Sequence, residues 1–185
     1  MYGMVNKAIR GLVIDNFSME TWNTIRNKAG STDDFVAFTQ YDDAITYRLV
    51  DAAVETLHMP ADEVLKAFGD YWVQEIATVN YADLMNKTGT DFVSFVTNLD
   101  HMHSRIKATF PGYAPPSFRV KVIDENSLLV DYYSHREGLL PFVEGLMTSL
   151  GKHFDTTVTI DHIPDDDHPM PCKRMRINHK PAQQE

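Results

Sequence analysis

The chain holds a single cysteine, Cys172, among 185 residues, so no internal disulfide can form and the fold must stand on packing. No stretch approaches the ~20 apolar residues that span a bilayer. The start, MYGMVNKAIRGLVIDNF, has no long apolar core and no small-residue cleavage site, so a secretory signal is not expected. Cations are short as well: 17 Lys and Arg face 26 Asp and Glu, giving a net charge of −9. That balance argues against general binding to nucleic acid or to anionic membranes, which needs a net basic face. Internal repeats and low-complexity segments are lacking too. The expectation is a soluble, cytoplasmic protein. Its hydrophobic fraction of 43% is enough for a sizeable core, and its length suits one domain, divisible into subdomains.

The first half reads as helices. Met4, Val5, Ala8, Ile9, Leu12 and Val13 form an amphipathic stripe. Met19, Trp22 and Ile25 form a second, which Gly30 should end. Ile45, Leu49, Ala52, Ala53 and Leu57 mark a third. Pro60 suits the first position of a fourth, with Asp62 and Glu63 in its first turn, where the helix dipole favours acids. Val64, Leu65, Phe68, Trp72 and Ile76 carry that apolar face onward. Thr88 to Asp91 opens a longer helix. After Pro111 the segment Tyr113-Ala114-Pro115-Pro116 cannot remain helical. The period then becomes two: Phe118, Val120 and Val122, a turn at Asp124-Glu125-Asn126, then Leu128, Val130 and Tyr132. This is a β-hairpin. A helix follows from Leu139, with Pro141 in its first turn, then a strand at Val158 and Ile160. Another strand is expected at Met175, Ile177 and His179, beyond the loop Pro164 to Pro171. The tail from Lys180 is expected to be loose. The fold class is α+β, with a helical subdomain over roughly 1–60 and a second over 61–180 that holds a small antiparallel sheet and packed helices.

Two segments carry chemistry. Phe92, Val96, Leu99, His103, Ile106 and Phe110 recur at spacings of four and three, which is one helix face turned toward a core. A neutral imidazole there needs a partner for its ring nitrogens, because unpaired burial is costly. A metal ion is one such partner, and a backbone carbonyl is the other. His101 lies about 200° around the helix and should face away. The second segment is Tyr132-Tyr133-Ser134-His135-Arg136. If it is extended, Tyr132, Ser134 and Arg136 share one face. Two hydroxyls and a permanent cation in a row suit carboxylates, and they equally suit a solvent-facing hairpin edge.

These residues resemble the H-NOX domains, heme-nitric oxide/oxygen-binding sensors related to the heme domain of soluble guanylate cyclase. The family's propionate-binding motif Tyr-x-Ser-x-Arg stands complete as Tyr132, Ser134 and Arg136. The proximal ligand context Leu-Asp-x-x-His reads Leu99-Asp100-His101-Met102-His103 and selects His103. Pro115 matches a proline that packs on the heme. The opening Met-Tyr-Gly-x-Val-Asn-Lys-Ala is also family-like, and the resemblance spans nearly the whole chain. It implies heme b (iron protoporphyrin IX) between the two subdomains, ligated by His103 and held at its anionic edge by the motif. It further implies Val5, Trp72 and Leu146 on the gas-binding side.

Oxygen-binding members place a tyrosine five residues after the motif arginine. Here that residue is Pro141, which has no proton to donate to polar bound oxygen. The resemblance therefore implies nitric oxide and carbon monoxide as ligands, with oxygen excluded. It also implies action in trans on a histidine kinase or a cyclic-dinucleotide enzyme, as stand-alone cyanobacterial-type members do, and no catalysis by the chain itself. Some members carry a zinc site of cysteines and a histidine. With Cys172 alone beside His162, His168 and Asp165 to Asp167, no zinc is expected. The competing readings are a heme-dependent oxygenase or peroxidase, a gas carrier, and a heme-free interaction module.

Overall fold

The computed structural model describes residues 1–31, 34–110, 112–164 and 172–182. Pro111, Asp165 to Asp167 and His168, all named above, lie outside the described residues. Three helices open the chain: α1 (Gly3–Asn16), α2 (Met19–Lys28) and α3 (Asp43–Leu57). Ser18 caps α2 by accepting from the Thr21 amide at 3.0 Å. Gly30, at φ +64°, turns the chain beyond that helix in a conformation that side chains with a Cβ rarely adopt. Asp42 caps α3 through the Ala44 amide at 2.9 Å.

Pro60 stands just ahead of α4 (Ala61–Tyr71), not in its first turn. Its ψ of 144° is extended while its carbonyl already accepts from Val64, which makes it the cap. The regular helix expected through Ile76 does not continue. The chain widens into a π-helical turn at Trp72–Ala77 before a short α5 (Thr78–Asn80). A further helix, α6 (Ala82–Thr88), has no counterpart in the sequence reading.

Helix α7 (Phe92–Thr109) begins at a capping box. The Asp91 side chain accepts from the Ser94 amide at 2.9 Å, and the Ser94 hydroxyl accepts from the Asp91 amide at 3.3 Å. The hairpin follows as β1 (Ser117–Asp124) and β2 (Ser127–Tyr133). Asp124 closes its turn by accepting from the Asn126 amide and the Ser127 hydroxyl. Helix α8 (Leu140–His153), β3 (Thr156–Ile163) and β4 (Lys173–Pro181) complete the fold. The four strands form one antiparallel sheet in the order β1-β2-β4-β3. The expected loose tail is corrected in part: Lys180 and Pro181 pair with Thr157 and Thr156, because β3 extends past the end of β2 and carries the ladder with β4 on to Pro181.

Two apolar cores result. One gathers Ala8, Ile9, Val13, Trp22, Ile25 and Leu49 with Phe68 of α4. The other joins Val73, Phe92, Val96 and Leu99 to Leu128, Val130, Met175 and Ile177 of the sheet. Fully burying each such side chain stabilises by about 1.5–3 kcal/mol, so these cores outweigh the exposed ion pairs. Helices α4 and α8 cross closely through Gly69 and Gly145. A Cβ on Gly145 would stand 2.2 Å from the Lys66 carbonyl oxygen, and one on Gly69 would stand 2.4 Å from that of Phe142. Among the described residues no helix is long and apolar enough to cross a membrane.

Candidate functional site

Helix α7 leaves the core as it runs. Phe92, Val96 and Leu99 are buried, whereas His103, Ile106 and Phe110 are half-buried. His103 thus stands where the stripe emerges from the packed interior, and His101 faces solvent as its offset requires. The Nδ1 atom of His103 is sealed from water and makes no hydrogen bond among the described residues. Burial lowers the pKa of the ring. The Pro116 backbone and Asp100 favour the protonated form but do not outweigh it. The imidazole is therefore neutral near pH 7, the form that ligates metals. Phe118 and Tyr113 flank it, with ring centroids 5.9 and 6.4 Å away. Asp100, in the turn before, accepts from the Phe118 amide at 3.0 Å and ties α7 to β1.

Tyr132 lies buried near the end of β2, its ring 5.4 Å from that of Phe118. The extended row expected from Tyr132 to Arg136 is not formed, because the strand stops at Tyr133. The Ser134 hydroxyl accepts from the Arg136 amide at 3.0 Å and bends the chain, as short hydroxyl side chains do when they compete with the ladder. The bend still gathers the three side chains. Burial raises the Tyr132 pKa, while the Ser134 hydroxyl and the Arg136 charge pull it the other way.

Arg136 joins three parts of the chain. Its Nη1 donates to the Ala114 carbonyl at 2.7 Å, directly before half-buried Pro115. Its Nε and Nη2 donate to Asp43 at 2.7 and 3.4 Å. Asp43 also receives the N-terminal ammonium. Burial would raise the Asp43 pKa, but the bonds to Arg136 and the ammonium together hold it below 3.8. Sequence reasoning missed Asp43. It reads as an ordinary first-turn acid of α3, and nothing local shows that it meets an arginine far along the chain. Tyr47, one turn on, donates to the Glu137 carbonyl at 2.9 Å and closes the same corner.

The remaining candidates sit elsewhere. Val5 and Trp72 pack at the edge of the N-terminal core, with Trp72 edge-on to Phe68 at 6.3 Å. Leu146 borders the other core, and its amide lies at the Gly69 crossing. The structure brings His103, Tyr132, Ser134, Arg136 and the Pro115 segment together. No described contact links Val5, Trp72 or Leu146 to His103. Among the described residues, no three His, Cys, Asp or Glu side chains are grouped to hold a metal ion. Cys172 is buried, and His162 Nε2 meets Glu144 at 2.9 Å.

The donor set suits an iron porphyrin. It offers a neutral, shielded imidazole with an unpartnered nitrogen, and two hydroxyls beside a guanidinium. Of that group's five N–H donors three are engaged, which leaves two for carboxylates.

A profile of the family described as Haem-NO-binding matches residues 2–162. The chain is similar to soluble guanylate cyclase gcy-32 of Caenorhabditis elegans, at 29% identity over 168 residues, covering 86% of this chain and 24% of that protein. It is also similar to guanylate cyclase soluble subunit beta-2 of Rattus norvegicus, at 32% over 100 residues, covering 54% of this chain and 15% of that one. The chain thus spans a quarter or less of the length of these relatives. Among solved structures, an H-NOX protein from S. oneidensis in the Fe(II) ligation state superposes with a TM-score of 0.87 at 22% identity, covering 99% of this chain and 98% of that one. An H-NOX protein from K. algicida gives 0.83 at 20% identity, with 97% of each chain covered. At such identities these superpositions establish the fold.

Proposed function

Since this chain belongs to the Haem-NO-binding family of H-NOX heme-binding gas sensors, we propose that it senses nitric oxide, with carbon monoxide as a second ligand, while excluding oxygen. The observation that carries this reading is the neutral imidazole of His103, half-buried with its Nδ1 lacking a hydrogen bond, beside the Tyr132–Ser134–Arg136 cluster. In this reading His103 would ligate the iron of heme b, and Tyr132, Ser134 and Arg136 would hold its propionates. Pro115 packs against the macrocycle, and Val5, Trp72 and Leu146 line the gas side. When bound, the heme supplies a ferrous iron that accepts a diatomic gas.

The chain's own residues account for selectivity and output. Pro141, in the first turn of α8, has no proton to give to bound oxygen. Beside Trp72, whose indole N–H faces that side in this reading, Gln74 donates to the Ser149 hydroxyl at 2.9 Å and Tyr71 to Asp15 at 2.6 Å. A changed pull on His103 passes along α7 to β1 through Asp100 and the Phe118 amide. Arg136 ties that end of the sheet to α3 and to the Pro115 segment. The pieces form a two-state element biased by ligand. A separate cytoplasmic histidine kinase or cyclic-dinucleotide enzyme reads it, and the chain itself catalyses nothing.

The test is the absorption spectrum of the reduced protein before and after nitric oxide, with an oxygen control. His103→Gly should lose axial ligation and regain it with added imidazole. A spectrum unchanged by that substitution would overturn the assignment.

A further inference from the structure

The sheet uses one face for the core and leaves the other uncovered by any described helix. Inward lie Leu128, Val130, Met175 and Ile177. Alternation and register place Arg119 and Lys121 of β1 with Arg174, Arg176 and Lys180 of β4 on the outer face. On a chain of net charge −9, this face carries those five cations against three carboxylates: Asp131, Asp161 and, past the β1 bulge, Asp124, whose charge Arg176 feels. Asp131 is spent on Arg174, which grips it at 2.6 and 3.1 Å. Asp161 accepts from Asn178 at 2.9 Å. Arg119, Lys121, Arg176 and Lys180 are exposed and make no ion pair among the described residues. Arg119 stacks over Tyr133 at 5.1 Å.

Register sets the pattern within this face. Lys121 pairs with Leu129, and Leu129 pairs with Arg176, so a half-buried leucine stands between two exposed cations. An array of phosphates would gain nothing from Leu129. A protein surface with an apolar side chain between carboxylates satisfies the whole row. We propose that this outer face docks an acidic partner protein, with the Lys121–Leu129–Arg176 row at its centre. The same strands touch the site from their inner side. Phe118 flanks His103, and the next residue, Arg119, faces the partner; Tyr132 and Tyr133 divide in the same way. The docking surface is thus the reverse side of the strands that feel His103. That coupling, unlike the docking itself, rests on the sensor reading.

The experiment titrates the full chain, followed by amide NMR, with a synthetic Glu-rich peptide carrying a central Leu. Saturable shifts confined to outward residues of β1, β2 and β4 are expected, weakening with salt. Lys121→Glu with Arg176→Glu should lower affinity by about tenfold or more, and Leu129→Ser should lower it with no change in charge. Lys7→Glu with Lys87→Glu, on exposed helical surface, should leave affinity unchanged. Shifts scattered over other surfaces, or affinity untouched by the β1/β4 reversals, would refute the proposal. So would tighter binding to phosphatidylserine vesicles or to heparin than to the peptide. The titration reads docking without reference to gas or iron, so its failure is separate from failure of the His103 spectrum.

Discussion

Replacing His103 with leucine should make the heme-free protein more stable. The imidazole Nδ1 is sealed and unpartnered, so the folded state bears the cost of stripping water from a polar atom without the return of a hydrogen bond. An unmet buried donor or acceptor costs about 1–3 kcal/mol, and a leucine at the same point of the α7 stripe removes it. At this chain length each kcal/mol moves the melting midpoint by about 2–4 °C, so the variant should melt roughly 2–12 °C above the parent. Equilibrium urea unfolding of both heme-free proteins measures the difference directly, with an unchanged slope certifying the comparison. Supplying heme should reverse the order, because the parent then gains an axial bond that the variant lacks. A residue whose removal stabilises the bare fold and weakens the loaded one is kept for its ligand. If His103→Leu instead loses about 1 kcal/mol or more without heme, the ring is a satisfied part of the core. The argument from its missing partner then fails.

Gly145→Ala places a methyl 2.2 Å from the Lys66 carbonyl oxygen, a backbone atom that cannot swing aside; about 1–3 kcal/mol should be lost in urea unfolding, with the α4–α8 crossing forced apart. Asp43→Asn tests the corner at Arg136. The folded carboxyl stays charged below 3.8 while the unfolded one takes up its proton near that value. Its contribution is therefore complete above 3.8 and fades as the pH falls through the folded pKa. The parent should lose stability there, and the variant should show a flatter acid limb in pH-dependent unfolding. Pro141→Tyr adds a hydroxyl at the start of α8. A new bond of about 0.5–1.5 kcal/mol to bound oxygen should raise oxygen affinity roughly two- to tenfold, read from the spectrum in air. Ser134→Ala removes the acceptor of the Arg136 amide and should weaken heme retention in transfer to apomyoglobin, while Glu137→Gln, whose carbonyl does its work through the backbone, should not.

Periodic signals were legible wherever burial is one-sided. The α7 stripe, its Asp91 start, the hairpin turn at Asp124 and the inward row of β2 all follow from spacing and side-chain chemistry. The candidate site was legible as residue types and spacing, and less so in its geometry. Alternation extrapolated through Arg136 fails because Ser134 bonds the backbone two residues on, a competition that period-two reading does not include. Asp43 was hidden because ion pairs between distant segments leave no local trace. Helix α6 escaped because a seven-residue helix with two buried residues barely shows a face. The expected placement of Pro60 missed by one position, since its fixed φ suits both the cap and the first turn.

The wide turn at Trp72–Ala77 has a consequence for how this chain can vary. Such turns accommodate one residue more than regular helical spacing allows. Deleting a single residue from it would let the backbone relax to ordinary pitch with the elements downstream kept in register, while the residues inside the turn would be re-aimed by about 100°. Gln74 would leave Ser149, and Val73 would rotate out of the sheet-side core. The aim of Trp72 is therefore set by chain length as much as by side-chain identity, and a point substitution cannot reproduce what one deletion would do.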